Sequence, residues 1–370
     1  MTAALELVHP AAVEQPRPEV FGGVDTHKDT HTAAAVDAAG RMLGHRQFPA
    51  TAAGYAALWG WLTGLGAVVQ VGTEGTSSWG AGLAEFLRTV AVPVVEVNRP
   101  NRATRRRAGK SDPVDAEAAA RAALAGHATA IPKTADGPVA CIRALRIART
   151  SAIRQRTDVI RQIKSIIDTA PEALRAQLRH LATPALLTTC TRWRPATGNA
   201  ADPTTATKLA LRSLARRHSY LDEEIAALDA LLGPLVQTTA PTLTACFGVG
   251  IEVAGQLLVT VGDNPERVHS EAALAMLCGA APIPASSGRT HRHRLNRGGD
   301  RQANAALYRV VIVRMRYHQL TRDYVERRTA EGLSKTEIIR CLKRYLVREI
   351  YAALVSDAAA KNPRKRLDDL

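Results

Sequence analysis

The order of apolar runs along this chain predicts an α/β domain at the amino terminus and a mainly α-helical remainder. Three observations carry that reading. Three short strand-like runs follow one another directly, separated by polar turns. Alternating helix and strand patterns come next, with strands as continuously apolar as those of buried parallel sheets. Beyond about residue 137, apolar residues recur at helical spacing in two long segments.

The first strand covers about 20–25 and delivers Asp25 at its end. The second and third cover 30–37 and 41–48, with Gly40 marking the turn between them. A helix at 52–64 stops at Gly64-Leu65-Gly66. The run Ala67 to Glu74 is a buried strand closing on a second carboxylate. A helix at 78–90 and a strand at 92–97 follow. Three antiparallel strands, then alternating helix and strand, is the order of an RNase H-like fold.

One acid at a strand tip reads equally well as a turn residue. Here four acids stand in order: Asp25 and Glu74 at strand ends, then Asp112 and Asp115 at a helix start. Asp112 is placed for the N-cap and Pro113 for the first helical position. The two aspartates, three apart, share a helix face. Acids in a first turn also partner the helix dipole, so this pair alone favours capping. Four converging carboxylates need cations, and oxygen-only ligands favour Mg²⁺ or Mn²⁺. Two such ions about 4 Å apart serve phosphodiester chemistry. His27 and His31 are four apart on a hairpin rather than a helix, and read as outer or surface residues.

The chain has 370 residues, with 49 Lys+Arg against 34 Asp+Glu and a formal charge of +15. That balance points to a polyanionic partner, nucleic acid first. Arg102, Arg105, Arg106, Arg107 and Lys110 cluster between the second and third acids. They read as a nucleic-acid contact, with a solvated loop as the plain alternative. No apolar run is long enough to span a membrane, so no membrane partner is expected. Residues 1–19 lack a signal-peptide pattern and read as a disordered tail. Five scattered cysteines fit neither a disulfide framework nor a zinc site, and read as reduced residues of a cytoplasmic protein.

Residues 137–235 read as a coiled-coil-like helical hairpin. Its first helix, about 137–170, has apolar residues at Ile142, Leu145, Ala152, Val159, Ile163 and Ile166. Arg149 and Arg156 share that seam, and Arg143, Arg146, Arg154, Arg161 and Lys164 lie around it. The second helix, about 205–232, packs back on the first and ends at Gly233-Pro234. Residues 171–203 show no clear pattern.

Within 240–355, Leu243 to Leu258 resembles a helix-hairpin-helix element. Its turn at Gly248 and Gly250 leaves backbone N–H groups for a DNA phosphate, although a tight helix–helix turn accounts for it equally well. Ser286, Ser287 and Gly288 then sit on a loop, followed by Arg289, Arg292, Arg294 and Arg297. A serine nucleophile needs its developing charge held, and arginines can hold a phosphate. From chemistry alone a basic loop that only contacts DNA is the better reading. Helices are expected at about 302–318 and 335–353, and a charged tail at 356–370.

In their joint order these motifs resemble those of the insertion-sequence-110 family of transposases, relatives of the pilin-gene-inverting recombinases. The residues are Gly23-Val24-Asp25-Thr26-His27-Lys28, Gly72-Thr73-Glu74, Lys110 to Ala116, Cys278-Gly279-Ala280-Ala281-Pro282, Ser287-Gly288 and Asn296-Arg297-Gly298-Gly299-Asp300. The resemblance covers about 20–355. It implies a Holliday-junction-resolvase-like domain at 20–130 in which Asp25, Glu74, Asp112 and Asp115 form a DEDD tetrad binding Mg²⁺ (or Mn²⁺). It implies a serine nucleophile that forms a phosphoserine link to DNA, Ser287 by motif position with Ser286 as rival. Dimers and tetramers, donor and target DNA, and a structured guide RNA are implied as partners, in the bacterial cytoplasm at the nucleoid. The alternatives are a resolvase-type nuclease using water, an actin-like or sugar-kinase-like ATPase opening on the same Gly-x-Asp-x-Thr, and a DNA-architectural protein.

Overall fold

A computed structural model describes residues 17–97, 111–289, 293–294 and 296–361. The chain divides into two compact units, with the boundary between Thr134 and Ala135. In the amino-terminal unit, β1 (Glu19–Thr26), β2 (Thr30–Asp37), β3 (Met42–Pro49), β4 (Ala67–Thr73) and β5 (Val94–Glu96) form one sheet in the order β3-β2-β1-β4-β5. The β3-β2-β1 pairs are antiparallel and the β1-β4-β5 pairs parallel. This mixed sheet follows the predicted element order.

Alternation along β1 assigns its two faces. Val20 and Val24 join Ala33, Ala35 and Val71 in a core closed by Leu58 and Leu62 of α1 (Ala52–Leu65) and by Leu83 and Leu87 of α2 (Ala81–Thr89). The other face receives α3 (Asp112–Leu124) at very short range. A methyl group on Gly23 would lie 2.0 Å from the Ala120 nitrogen and 2.2 Å from the Ala116 oxygen; one on Gly72 would lie 2.5 Å from the Ala119 oxygen. Gly23 and Gly72 are paired in the β1–β4 register. The buried stripe of α3 answers with Ala116, Ala119, Ala120 and Ala123. Ser111, not Asp112, precedes the helix as N-cap, its carbonyl accepting from the Val114 and Asp115 N–H groups. Asp112 is therefore the first helical residue.

The carboxy-terminal unit is mainly helical. Its two longest helices, α4 (Pro138–Asp168) and α7 (Pro203–Thr239), pack along one another. Arg149 pairs with Asp229 and Arg156 with Asp222, which fixes an antiparallel register and leaves neither seam arginine unpaired. Residues 171–203, unpatterned in sequence, hold α5 (Glu172–Leu178) and α6 (Thr183–Arg192). Seven and ten residues are too few to display a period, yet Leu174, Leu178, Leu186 and Cys190 complete a core with Val159, Ile163, Leu211 and Leu221.

At the other end of the hairpin, Val139, Ile142, Leu232 and Val236 enter a second core. It is built with α8 (Pro241–Ala245), α9 (Ile251–Val261), α10 (Glu271–Leu277), α11 (Arg301–Tyr317), α12 (Gln319–Ala330) and α13 (Lys335–Lys361). Four expectations change here. Helix α7 does not end at Gly233-Pro234. Pro234 removes one backbone hydrogen bond, but Leu232 and Val236 are both buried and hold the helix through it. Arg146 is not a surface cation: it is buried and donates to the Glu252 carbonyl (2.7 Å), the Glu252 carboxylate (3.0 Å) and Gln256 Oε1 (2.9 Å). Helix α12 was not expected; it buries only Thr321 and so shows no apolar stripe. Helix α13 runs past residue 353 to Lys361. Asp357 is buried there, its carboxylate accepting the Thr242 and Leu243 N–H groups at 2.8 and 3.0 Å.

The glycine contacts make a paired prediction for chemical unfolding. Gly23→Ala forces a methyl into the α3 backbone and should lower stability by about 3 kcal/mol or more. Gly60→Ala, inside α1 with open space around it, should raise stability by roughly 0.5–1 kcal/mol. Equal effects at the two positions would refute the close-packing account.

Candidate active site

Residues two apart on a strand share a face, so Asp25 follows Gly23 and Glu74 follows Gly72 toward α3. The two acids leave neighbouring parallel strands at the same level. The Glu74 N–H donates to the Val24 carbonyl at 3.1 Å, and Thr26 Oγ1 donates to the Glu74 carbonyl at 3.0 Å. On α3, Asp115 opens the stripe that continues as Ala116, Ala119 and Ala120. The packing that seats the alanines on the glycines therefore directs the first turn of the helix to the ends of β1 and β4.

Asp25, Glu74 and Asp115 are 9%, 8% and 5% exposed, and Asp112 is partly exposed. His27 Nε2 stands 3.2 Å from Asp25 Oδ2 and 3.5 Å from Asp112 Oδ1. One donor atom from each of Asp25, His27 and Asp112 lies within 4.8 Å of the others. Burial pushes the Asp25 carboxyl above its usual range. His27 opposes this, and the charges of Asp112 and Asp115 add to it. Buried acids that repel one another, with oxygen donors predominating, suit a hard divalent cation.

The two histidines differ from their predicted places. His27 is within the acid group, two residues after Asp25, and its ring stacks on Trp79 (centroids 6.1 Å apart). His31 is fully buried, stacked on Tyr55 at 5.6 Å, and burial lowers its pKa. The alternation His31, Ala33, Ala35 on β2 was the available signal, since both alanines face the α1 side.

In the carboxy-terminal unit, Ser286, Ser287, Gly288 and Arg289 are exposed on a loop that leaves β6 (Ile283–Pro284) and returns through β7 (His293–Arg294). Arg294 and Arg297 are exposed as well. The base of this loop is tightly fixed. A methyl on Gly299 would lie 2.2 Å from the Gly279 nitrogen, and Gly279 has a φ of +64°. Asp300 caps α11 through the Gln302 and Ala303 N–H groups and accepts Thr260 Oγ1 at 2.8 Å. Asn304 Nδ2 donates to the carbonyls of Cys278 and Gly279, and Lys343 Nζ donates to Asn304 Oδ1 at 2.9 Å. The motif residues flanking the serines thus hold its ends.

Gly248 and Gly250 lie in the turn from α8 to α9. Gly248 has a φ of +80°, and Gly250 is the extended N-cap residue with open space around it. Arg102, Arg105, Arg106, Arg107, Lys110 and Arg292 lie outside the described residues.

Comparison with known proteins bears on both units. Residues 22–170 match a family described as transposase, of the DEDD type, and residues 240–326 match the transposase IS116/IS110/IS902 family. Both matches thus place the chain among transposases. It belongs to the IS110 family. It is 34% identical over 148 residues to the 43.6-kDa protein of insertion element IS110 of Streptomyces coelicolor. It is 28% identical over 153 residues to the 42-kDa protein of insertion element IS900 of Mycobacterium paratuberculosis. These matches cover 38% and 40% of this chain, and 36% and 38% of the two relatives. No helix among the described residues is long and apolar enough to cross a membrane.

Asp25 supplies a test by linkage. Its folded-state pKa is raised, so ionised Asp25 opposes folding. The penalty is absent below the ordinary carboxylate value of 3.8 and grows as pH rises through the folded value. Asp25→Asn should therefore melt above the wild type at pH 7.5 without divalent ions, and the gap should close in acid. The wild type should gain stability from Mn²⁺, and the variant less. A variant that melts lower at neutral pH, or gains as much from Mn²⁺, contradicts the assignment.

Proposed function

We propose that this protein is a DNA transposase that cuts and rejoins strands to move an insertion sequence. The observation that carries the reading is the in-register pair of Gly-x-acid strand ends meeting a helix that begins with two further acids. In this reading Asp25, Glu74, Asp112 and Asp115 hold Mg²⁺ or Mn²⁺ in an RNase H-like domain. The bound ions would supply Lewis-acid polarisation of the scissile phosphate. The net charge of +15 suits DNA and a structured guide RNA. Arg289, Arg292, Arg294 and Arg297 hold the phosphate, with Arg102, Arg105, Arg106, Arg107, Lys110 and the turn at Gly248 and Gly250 as further contacts.

Ser287 is the nucleophile of this reading. Its hydroxyl loses a proton as Oγ bonds to phosphorus, and the leaving sugar oxygen takes a proton as its bond to phosphorus breaks. One phosphodiester replaces another, so rejoining needs no ATP. Acids and serine are supplied by different units, which suits assembly as dimers and tetramers in the bacterial cytoplasm at the nucleoid.

The test is strand cleavage with the flanking DNA of the gene and RNA transcribed from it. Ser287→Ala should abolish the covalent protein–DNA adduct while Ser286→Ala retains it. Asp115→Asn should lower cleavage by roughly three orders of magnitude or more. Metal-dependent cutting by Ser287→Ala at the wild-type rate would instead identify a nuclease that uses water, with the acids alone as its active site.

A further inference from the structure

Trp79 is the only exposed tryptophan of the four in the chain, at 56%, and it stands beside the acid group. The other exposed large apolar side chains described in the amino-terminal unit, Met42, Leu43, Val69 and Ile131, are not aromatic. The turn that carries Trp79 is closed by hydrogen bonds. Gly75 adopts a φ of +61°, its carbonyl accepts the N–H groups of Ser78 (2.9 Å) and Gly80 (3.1 Å), and Ser78 Oγ donates to it at 3.1 Å. A methyl on Gly80 would lie 2.8 Å from the Glu74 carbonyl oxygen, so the turn closes directly on the strand that carries Glu74. The indole stacks on His27 with an interplanar angle of 27°, and His27 in turn touches Asp25 and Asp112. A large flat apolar ring thus stands in solvent, one side chain away from Asp25 and Asp112.

We propose that Trp79 is a stacking platform for the nucleobase next to the phosphate held at the acids. The inference rests on reading those acids as the strand-cutting centre. Every base has a π-face, so an indole binds a splayed base whatever its identity. A preorganised ring loses little freedom when it does so. Stacking here sets the position of the sugar–phosphate beside Asp25 and Glu74 without reading sequence. Specificity is left to other contacts.

The test uses the full-length protein with Mn²⁺, RNA transcribed from the flanks and a branched DNA probe built from the DNA beside its gene. Each nucleotide around the cleaved bond is replaced in turn by an abasic site. Trp79→Ala should weaken binding or slow cleavage of the intact probe roughly 5- to 100-fold, while Trp79→Phe stays within about threefold of the wild type. One abasic position should lower the wild type to the level of Trp79→Ala and leave Trp79→Ala itself unchanged. Intact-probe activity of Trp79→Ala equal to wild type overturns the proposal. So does a loss that persists equally on every abasic probe, which marks a merely structural role. Asp115→Asn in the same assay separates the two levels. If it still cuts, the reading of the acids fails and the platform with it; if it is inactive, a silent Trp79→Ala removes the platform alone.

Discussion

The amino-terminal unit depends on one steric condition: at Gly23 and Gly72 the backbone of helix α3 meets the sheet with no side chain from the strands between them. Gly23 and Gly72 present bare backbone, and Ala116, Ala119 and Ala120 settle onto it. Such an interface buries little apolar area, so its strength comes from dense atomic contact rather than from large hydrophobic side chains. Its product is position. The same alternation that turns the glycines toward the helix turns Asp25 and Glu74 the same way two residues later. Burial raises the pKa of Asp25, and the charges of Asp112 and Asp115 raise it further. The fold thus uses its tightest contact to hold together groups that would otherwise separate.

The carboxy-terminal unit solves a different problem, namely how to fasten long helices whose surfaces are basic. Acids distant in sequence do much of this. Asp263 accepts the Val139 and Ala140 N–H groups at the start of α4, and Asp357 does the same for α8. Each places a negative charge at the positive end of a helix while satisfying donors that have no partner within the helix. Arg146 and Arg149 meet Glu252 in the first turn of α9, tying the hairpin to the helix that follows the Gly248 turn. Removing either side of such a network would leave a charge without its partner, so the network specifies one arrangement.

Much of this was readable from residues alone, and the exceptions have physical reasons. The sequence of strands along the chain, and the places of Asp25 and Glu74 at strand ends, followed from apolar runs and from where each run stopped. The close approach at Gly23 and Gly72 did not, because a glycine in a strand gives no sign of what lies against it. Arg146 falls on a basic helix that gives no sign of its burial; its acceptors are more than a hundred residues away. Pro234 reads locally as a stop and is overruled by tertiary packing on both sides. The four-residue spacing of His27 from His31 says nothing of its place, whereas its two-residue spacing from Asp25 does. The serines were visible only through the motifs around them.

Those motifs have a consequence of another kind. The chain enters and leaves the serine loop where Gly279 and Gly299 touch backbone to backbone, and Asn304 and Asp300 fasten the two sides. Ala280, Ala281 and Asn296 still touch the helical core beside that junction, and residues 284–289 beyond them are exposed. Insertions, deletions or changes of charge within that exposed stretch need not be absorbed by the helices beneath. Variation in the reactive loop and preservation of the scaffold can therefore proceed separately, each under its own selection.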